Sequence, residues 1–316
     1  MKTAFIFPGQ GSQLIGMGRD FYDNFETAKQ TFHTIDEVLN RKLTDIIFNG
    51  TSEELTLTTN AQPALMAVSM AIIKTLKAET GKSLDQLCDY VAGHSLGEYS
   101  ALCAADSISL EQEAELLHIR STSMQEACPT GVGAMAACIG ISIEKLESIL
   151  LEAGKIGLCE IANDNIEGQI VISGKADAID HAISIIKDLG YKAIKLKVSA
   201  PFHSSLMSLA EDKMQIALEK CVINKPLVPV IQNYTAKPTL DPLEIKQNLI
   251  SQICGRVRWR ETLELFNTLK ITHIVEIGAG SVLTGMLRKI NYPFKLSNIS
   301  NVEDMKLFLQ AYEAAN

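Results

Sequence analysis

Near its start the chain carries TAFIF (3–7), β-branched and aromatic residues cut off by Pro8 and Gly9. A short apolar run that stops at Pro-Gly predicts a buried strand entering a loop. The next strong pattern, AQPALMAVSMAIIKTLKAET (61–80), is Ala- and Met-rich and nearly continuously apolar, which predicts a helix packed on several sides. DYVA (89–92) then suits a strand and LGEYSALCAA (96–105) the helix that follows it. This strand, tight turn and helix enclose a G-x-S-x-G motif with Ser95 at its centre, the context in which such a motif is credible.

Residues 131–198 follow a different pattern. GAMAACIG predicts a strand and SIEKLESILLEAG a helix opened by a serine. GLCEIAN and GQIVISG predict two strands around a polar turn. KADAIDHAISIIKDLG has the period of an amphipathic helix ending at Gly190, and KAIKLKV alternates as a strand. The order βαββαβ is that of a ferredoxin-like module. Such a unit, inserted into a larger α/β domain, leaves a cleft along the seam.

The bulk composition narrows the setting. With 316 residues, 47% hydrophobic and 21% charged, the chain has room for one large domain carrying an insertion. The net charge of −8 argues against a general nucleic-acid binder. MKTAFIFPGQ is too short in apolar residues for a signal peptide, and no apolar run approaches the roughly 20 residues a membrane span needs. Seven cysteines without a C-x-x-C pair read as reduced thiols. The expectation is a soluble, cytoplasmic protein.

A serine hydroxyl is a poor nucleophile at neutral pH and needs an imidazole to take its proton and donors for the oxyanion that forms. Taken alone, the pentapeptide can also be an ordinary turn. Of the six histidines, His94 adjoins Ser95, but neighbouring side chains diverge at a sharp turn, so it is expected to line the pocket. His33, His118, His181 and His273 sit in helix or strand contexts. His203, in VSAPFHSSLM, follows the last strand of the inserted module with Pro201 fixing the backbone before it, and is the candidate base. No acidic residue announces itself as its partner; a backbone carbonyl can serve instead. The loop FPGQGSQLIGMG has Leu14 where a dinucleotide fingerprint wants its third glycine, so its backbone N–H groups suit an oxyanion hole better than a nucleotide.

AELLHIRSTSMQEACPTG predicts a helix carrying Arg120, with Met124 one turn further along the same face. A helix arginine is usually solvated or salt-bridged. Pointed into the serine cleft, it is a planar fork suited to a carboxylate, which would select acyl groups ending in one.

Four stretches, FPGQGSQ, GHSLGEYSAL, RSTSMQ and APFH, together with VEIGAGSVLTGM near the end, resemble the malonyl-CoA:acyl carrier protein transacylase family over essentially the whole chain. The resemblance implies an α/β fold: an α/β-hydrolase-like catalytic domain (1–130 and 199–316) with an inserted ferredoxin-like small domain (131–198). It implies that Ser95 is acylated, that His203 is the general acid and base, and that the N–H groups of Gln10 and Leu96 form the oxyanion hole. Arg120 would grip the malonyl carboxylate, and the main-chain carbonyl of Gln252 would orient the histidine. Asn163 lies where small-domain residues approach the substrate, and Phe202 fits the pattern linked with malonyl rather than methylmalonyl selection. Malonyl-CoA is the implied substrate and acyl carrier protein the implied partner, with no cofactor or metal and a monomeric chain. An acidic carrier calls for a basic patch, for which GRVRWR (Arg256, Arg258, Arg260) and GYKAIKLK (Lys192, Lys195, Lys197) are candidates.

Three other readings share parts of this pattern. An acyltransferase loading polyketide synthase carriers in trans has the same motifs. An acyl hydrolase has no use for a buried unpaired guanidinium. A non-catalytic scaffold would be expected to lose Ser95 or His203, and both are present.

Overall fold

In the computed structural model, which describes residues 2–129, 131–198 and 200–315, the TAFIF run is a fully buried strand, β1 (Thr3–Phe7). The strands that follow are β2 (Tyr90–Gly93), β3 (Gly133–Ile139), β4 (Cys159–Ile166), β5 (Gln169–Lys175), β6 (Lys192–Lys195), β7 (Val230–Ile231), β8 (Pro238–Thr239), β9 (His273–Ile277) and β10 (Lys295–Ile299). They form two sheets. The larger has the order β10-β9-β1-β2-β7-β8, parallel except for the β7–β8 pair. Alternate residues of β1 feed two cores: Phe5 and Phe7 pack in one, Ala4 and Ile6 in the other. A parallel sheet needs both faces covered, which is why its strands read as unbroken apolar runs.

The predicted long helix runs Thr58–Thr80 and is buried continuously from Asn60 to Ile73. Pro63 within it cannot donate to the carbonyl of Thr59, and Nη2 of Arg41 donates to that oxygen instead, at 2.6 Å. This helix packs beside the helix Gly97–Ala104 on one face of the sheet, while Trp259 and Phe266 of the helix Trp259–Thr268 fill the other.

The second sheet has the order β4-β5-β3-β6 and is antiparallel throughout. With the helices Ile143–Ala153 and Ala176–Asp188 it follows the βαββαβ order that the sequence predicts, and it has its own core around Leu146, Ile172 and Ile179. Ser142 caps the first of these helices by accepting from the Lys145 N–H. Two details differ from the sequence reading. The strand in KAIKLKV ends at Lys195, and β4 does not give way to a turn at Asn163 but runs on to Ile166. Two of its buried polar side chains are answered by partners: Asp164 pairs with Arg260 at 2.9 Å, and Asn165 with His94.

The smaller sheet is tied at β4 to the segment that leads into the helix Trp259–Thr268. Asn163 bridges Val257 in parallel, the Asp164 N–H donates to Val257 O, and the Val257 N–H donates to Ala162 O. The chain is thus a mixed α/β protein with a seam between two sheets. The expected domain limits pass through Thr130 and Ser199, which lie outside the described residues, as do Met1 and Asn316. No helix among the described residues is long and apolar enough to cross a membrane.

Candidate active site

Strand β2 ends at Gly93 and the next helix begins at Gly97, leaving three residues to reverse the chain. Ser95 takes a φ of 54°, a left-handed conformation that is strained for a residue with a side chain. A Cβ on Gly93 would fall 1.9 Å from Gly97 backbone atoms, and one on Gly97 would fall 2.4 Å from Phe7 O. Both glycines are therefore steric requirements of the turn. Asn233 braces it: its Oδ1 accepts from the Ser95 N–H at 2.7 Å and its Nδ2 donates to Gly93 O at 2.6 Å.

His203 stands where the sequence puts the base. It too has a positive φ, 54°, in a turn closed by Ser204 Oγ donating to Pro201 O. Its Nδ1 lies 2.9 Å from the main-chain carbonyl of Gln252 and 3.2 Å from that of Gly255. Carbonyls only accept, so Nδ1 carries the proton and Nε2 presents its lone pair. That lone pair faces Ser95 Oγ at 2.7 Å. Burial, followed by the nearby Arg120 charge, pushes the imidazole down to about 3, so the ring is neutral at physiological pH.

Arg120 projects from the helix Leu110–Glu126 and is 1% exposed. Its Nη1 donates to Gln62 Oε1 at 2.7 Å, and its Nη2 to Gln252 Oε1 at 3.0 Å and to Ser95 Oγ at 3.1 Å. Among the described residues it takes part in no ion pair. A buried guanidinium held by two neutral amide oxygens keeps its charge for a visiting anion.

A cavity of about 340 Å³ opens over these three groups. Gln10 and Leu96 line it, and among the hydrogen bonds of the described residues neither backbone N–H donates to the protein. Met124, Asn163 and Phe202 also line it, as does His94, whose ring is anchored by Asn165 at 2.8 Å and packs edge-on against Trp259. Every site residue named from the sequence thus lies at this one cavity or, for Gln252, directly behind it. A larger hollow of about 650 Å³ elsewhere at the seam, around Asp164, Arg260 and Lys289, holds no such nucleophile–base pair.

The arginines of the candidate docking patch are partly engaged within the chain. Arg256 and Arg258 both meet Glu261, and Arg260 meets Asp164 and Glu264, so much of their charge is answered within the chain. Lys195 pairs with Asp180, and Lys197, with Leu196 beside it, lines the cavity.

Four residues escape a sequence reading. Gln62 is an amide at the start of an apolar run, just before Pro63, and that misfit is a usable signal. Glu98, completely buried one residue past the second motif glycine, accepts from Gln232 Nε2 at 2.8 Å, from the Asn233 N–H at 2.9 Å and from Gln252 Nε2 at 2.8 Å. Burial still lifts its carboxyl to about 7. Asn233 and Asn165 are distant in sequence and carry no local pattern.

Against known proteins, residues 4–297 match the family model described as an acyl transferase domain. The chain is 43% identical to the malonyl CoA-acyl carrier protein transacylase of Bacillus subtilis, covering 100% of this chain and 98% of the relative. Among solved structures, an acyl-carrier-protein-S-malonyltransferase from Bartonella henselae matches with a TM-score of 0.96 at 47% identity, over 98% of this chain and 99% of the other. A malonyl-transacylase solved in complex with a type II PKS acyl-carrier protein matches with a TM-score of 0.94 at 36% identity, over 98% and 100%. A serine, a neutral imidazole and an unpaired guanidinium converging on one oxygen are what acyl transfer from a carboxylated donor requires. In sequence and in shape, the chain belongs to the acyl transferase family, among the malonyl CoA-acyl carrier protein transacylases.

Proposed function

We propose that this protein transfers a malonyl group from malonyl-CoA to the phosphopantetheine thiol of an acyl carrier protein, through an ester on Ser95. The observation that carries the reading is the Arg120 guanidinium, buried without a carboxylate and donating to the nucleophile's own oxygen. His203 Nε2 takes the Ser95 proton as Oγ attacks the thioester carbonyl. The resulting oxyanion sits at the N–H groups of Gln10 and Leu96, each worth about 10²–10³ in rate by analogy with other acyl-transfer sites. Collapse breaks the C–S bond, and His203 returns the proton to the departing coenzyme A thiol. The carrier thiol then loses its proton to His203, attacks the ester carbon and releases Ser95, which regains the proton.

Arg120 receives the distal carboxylate of the malonyl group, with Met124, Asn163 and Phe202 walling the acyl chamber; the Phe202 ring crowds an α-methyl branch. In domain terms, the larger sheet with its helices is an α/β-hydrolase-like catalytic body (1–130 and 199–316), and the βαββαβ unit (131–198) a ferredoxin-like lid over the seam. The chemistry needs no cofactor beyond the pantetheine each substrate brings. The unpaired cysteines suit a reducing cytoplasm.

Fatty acid synthesis is the primary setting. Loading of polyketide carriers is the second reading, favoured by the structural relative solved with a type II PKS acyl-carrier protein. The test is to incubate the enzyme with malonyl-CoA and either fatty acid or polyketide holo-carrier, following malonyl-carrier by mass. Faster loading of the fatty acid carrier supports the first reading and the reverse order the second. Loading of neither, with malonate released instead, would make the protein a hydrolase.

A further inference from the structure

We propose that Glu98 is a positioning residue for the acyl clamp: its buried carboxylate fixes which way round the Gln252 amide lies and, through that amide, the setting of the Arg120 guanidinium. The inference rests on the reading of Arg120 as the malonyl clamp and goes beyond it.

Gln252 Nε2 lies 3.0 Å from Ser95 O and 2.8 Å from Glu98 Oε2. A carbonyl and a carboxylate oxygen can only accept, so the nitrogen must face them. The amide oxygen is thereby turned to Arg120 Nη2 at 3.0 Å. Glu98 is itself completely specified: Gln232 Nε2 occupies one carboxylate oxygen, and the Asn233 N–H shares the other with Gln252. No partner of Glu98 is a cation, and Arg120 stands one amide away. This spacing places a negative charge close enough to balance a buried guanidinium without quenching it, which direct pairing would do.

Replacing Glu98 by glutamine removes the charge that balances Arg120 and puts an NH₂ group at one carboxylate position. At Oε1 the Gln232 amide, whose oxygen has no partner among the described residues, can turn over to accept it, whereas at Oε2 it opposes the Asn233 N–H and Gln252 Nε2. The Asn233 N–H belongs to the backbone that braces the serine turn and cannot rotate away. Gln252 can rotate its amide, but that sets its NH₂ against the guanidinium, which loses an acceptor and shifts.

The test is single-turnover acylation of the full-length enzyme, read by intact mass, with malonyl-CoA and with acetyl-CoA. Wild type, Glu98→Gln, Gln252→Leu, Arg120→Ala and the Glu98→Gln/Arg120→Ala pair are compared. Gln252→Leu keeps the main-chain carbonyl that holds His203 and so removes the amide alone. Glu98→Gln is expected to lower kcat/KM for malonyl-CoA at least about tenfold while changing that for acetyl-CoA less than about threefold. Gln252→Leu should likewise lower the malonyl-to-acetyl ratio of kcat/KM, and in the Arg120→Ala background Glu98→Gln should add less than about twofold. A purely structural Glu98 would slow both donors together and keep its full effect without Arg120, and that result overturns the inference. Should Glu98→Gln fail to fold, wild-type malonyl acylation by Gln252→Leu overturns it instead. If Arg120→Ala keeps the wild-type preference for malonyl-CoA, the clamp reading falls and the inference with it. If that preference is lost in Arg120→Ala but kept in Glu98→Gln, the inference alone falls.

Discussion

The Arg120 guanidinium donates to the same Ser95 oxygen that faces the base, at 3.1 Å, so nucleophile activation and acyl selection meet at one atom. Burial first, and then the charge of this cation, hold the resting imidazole neutral.

From this geometry, replacing Arg120 should cost selectivity more than reactivity. Arg120→Ala is expected to lower kcat/KM for malonyl-CoA by about 10²-fold, with a much smaller change for acetyl-CoA. Arg120→Lys should not rescue, because a single ammonium cannot reach Gln62, Gln252 and a carboxylate together. Steady-state kinetics on both donors checks this, and an unchanged malonyl-to-acetyl ratio would contradict it.

Two buried groups separate the pH profile into parts. His203, pushed down to about 3, remains neutral as the pH falls through the ordinary histidine range. Labelling of Ser95 by a neutral fluorophosphonate should therefore be flat from pH 8 to about 5, without a half-loss near 6.5. Glu98, lifted to about 7 by burial with Arg120 as the charged group facing it, gains a proton as the pH falls and can then no longer accept from all three donors. Malonyl acylation should accordingly decline below about pH 7 while fluorophosphonate labelling does not. Parallel profiles for the two reagents would count against this separation.

Glu113 offers a stability test remote from the chemistry. Its carboxyl is completely buried, accepts from Ser100 Oγ at 2.7 Å, and is raised to about 8 by burial. A raised carboxyl binds its proton more tightly folded than unfolded, so its contribution is full below the unfolded value near 4.5 and is lost as the pH rises toward 8. Glu113→Gln should gain on wild type over that interval, by at most about 1.4 kcal/mol per pH unit, and level off above it. Urea unfolding at several pH values measures the gap, and a gap independent of pH would refute the assignment.

The glycines of the serine turn should be intolerant where another is not. Gly97→Ala drives a Cβ into Phe7 O and should abolish folding or lower stability by more than about 3 kcal/mol. A Cβ added to Gly285, in the helix Val282–Leu287, would meet nothing within 4 Å, and Gly285→Ala should be neutral or stabilising by up to about 1 kcal/mol. Thermal melts of the two variants compare directly, and equal tolerance would mean the turn is less crowded than described.

Sequence made much of this visible because the chemistry is concentrated in short segments. TAFIF and DYVA are legible as buried strands since a covered parallel sheet leaves no polar face, and Gly93 and Gly97 announce the turn because nothing larger fits. His203 and Arg120 can be chosen from residue type and element, and both reach the cavity. The limits of β4 were not legible: Asn163, Asp164 and Asn165 look like a turn until Val257, Arg260 and His94, far away in the chain, supply their partners. Asn233 and Glu98 stayed hidden for the same reason, since a buried polar group is explained only by the groups that satisfy it. The arginines of GRVRWR are met partly by acids legible beside them, Glu261 and Glu264, and partly by Asp164, which the local sequence does not reveal.

The central claim is that the acyl group rests covalently on Ser95 between its two carriers. The most direct measurement is to mix the enzyme briefly with malonyl-CoA, quench in acid, and map the modified peptide by mass spectrometry, then repeat after adding holo-carrier. The account predicts a malonyl ester on the peptide containing Ser95, absent in Ser95→Ala and discharged by the carrier thiol. Malonyl transfer to the carrier by Ser95→Ala at the wild-type rate, or a label on another residue that the carrier discharges, would contradict it.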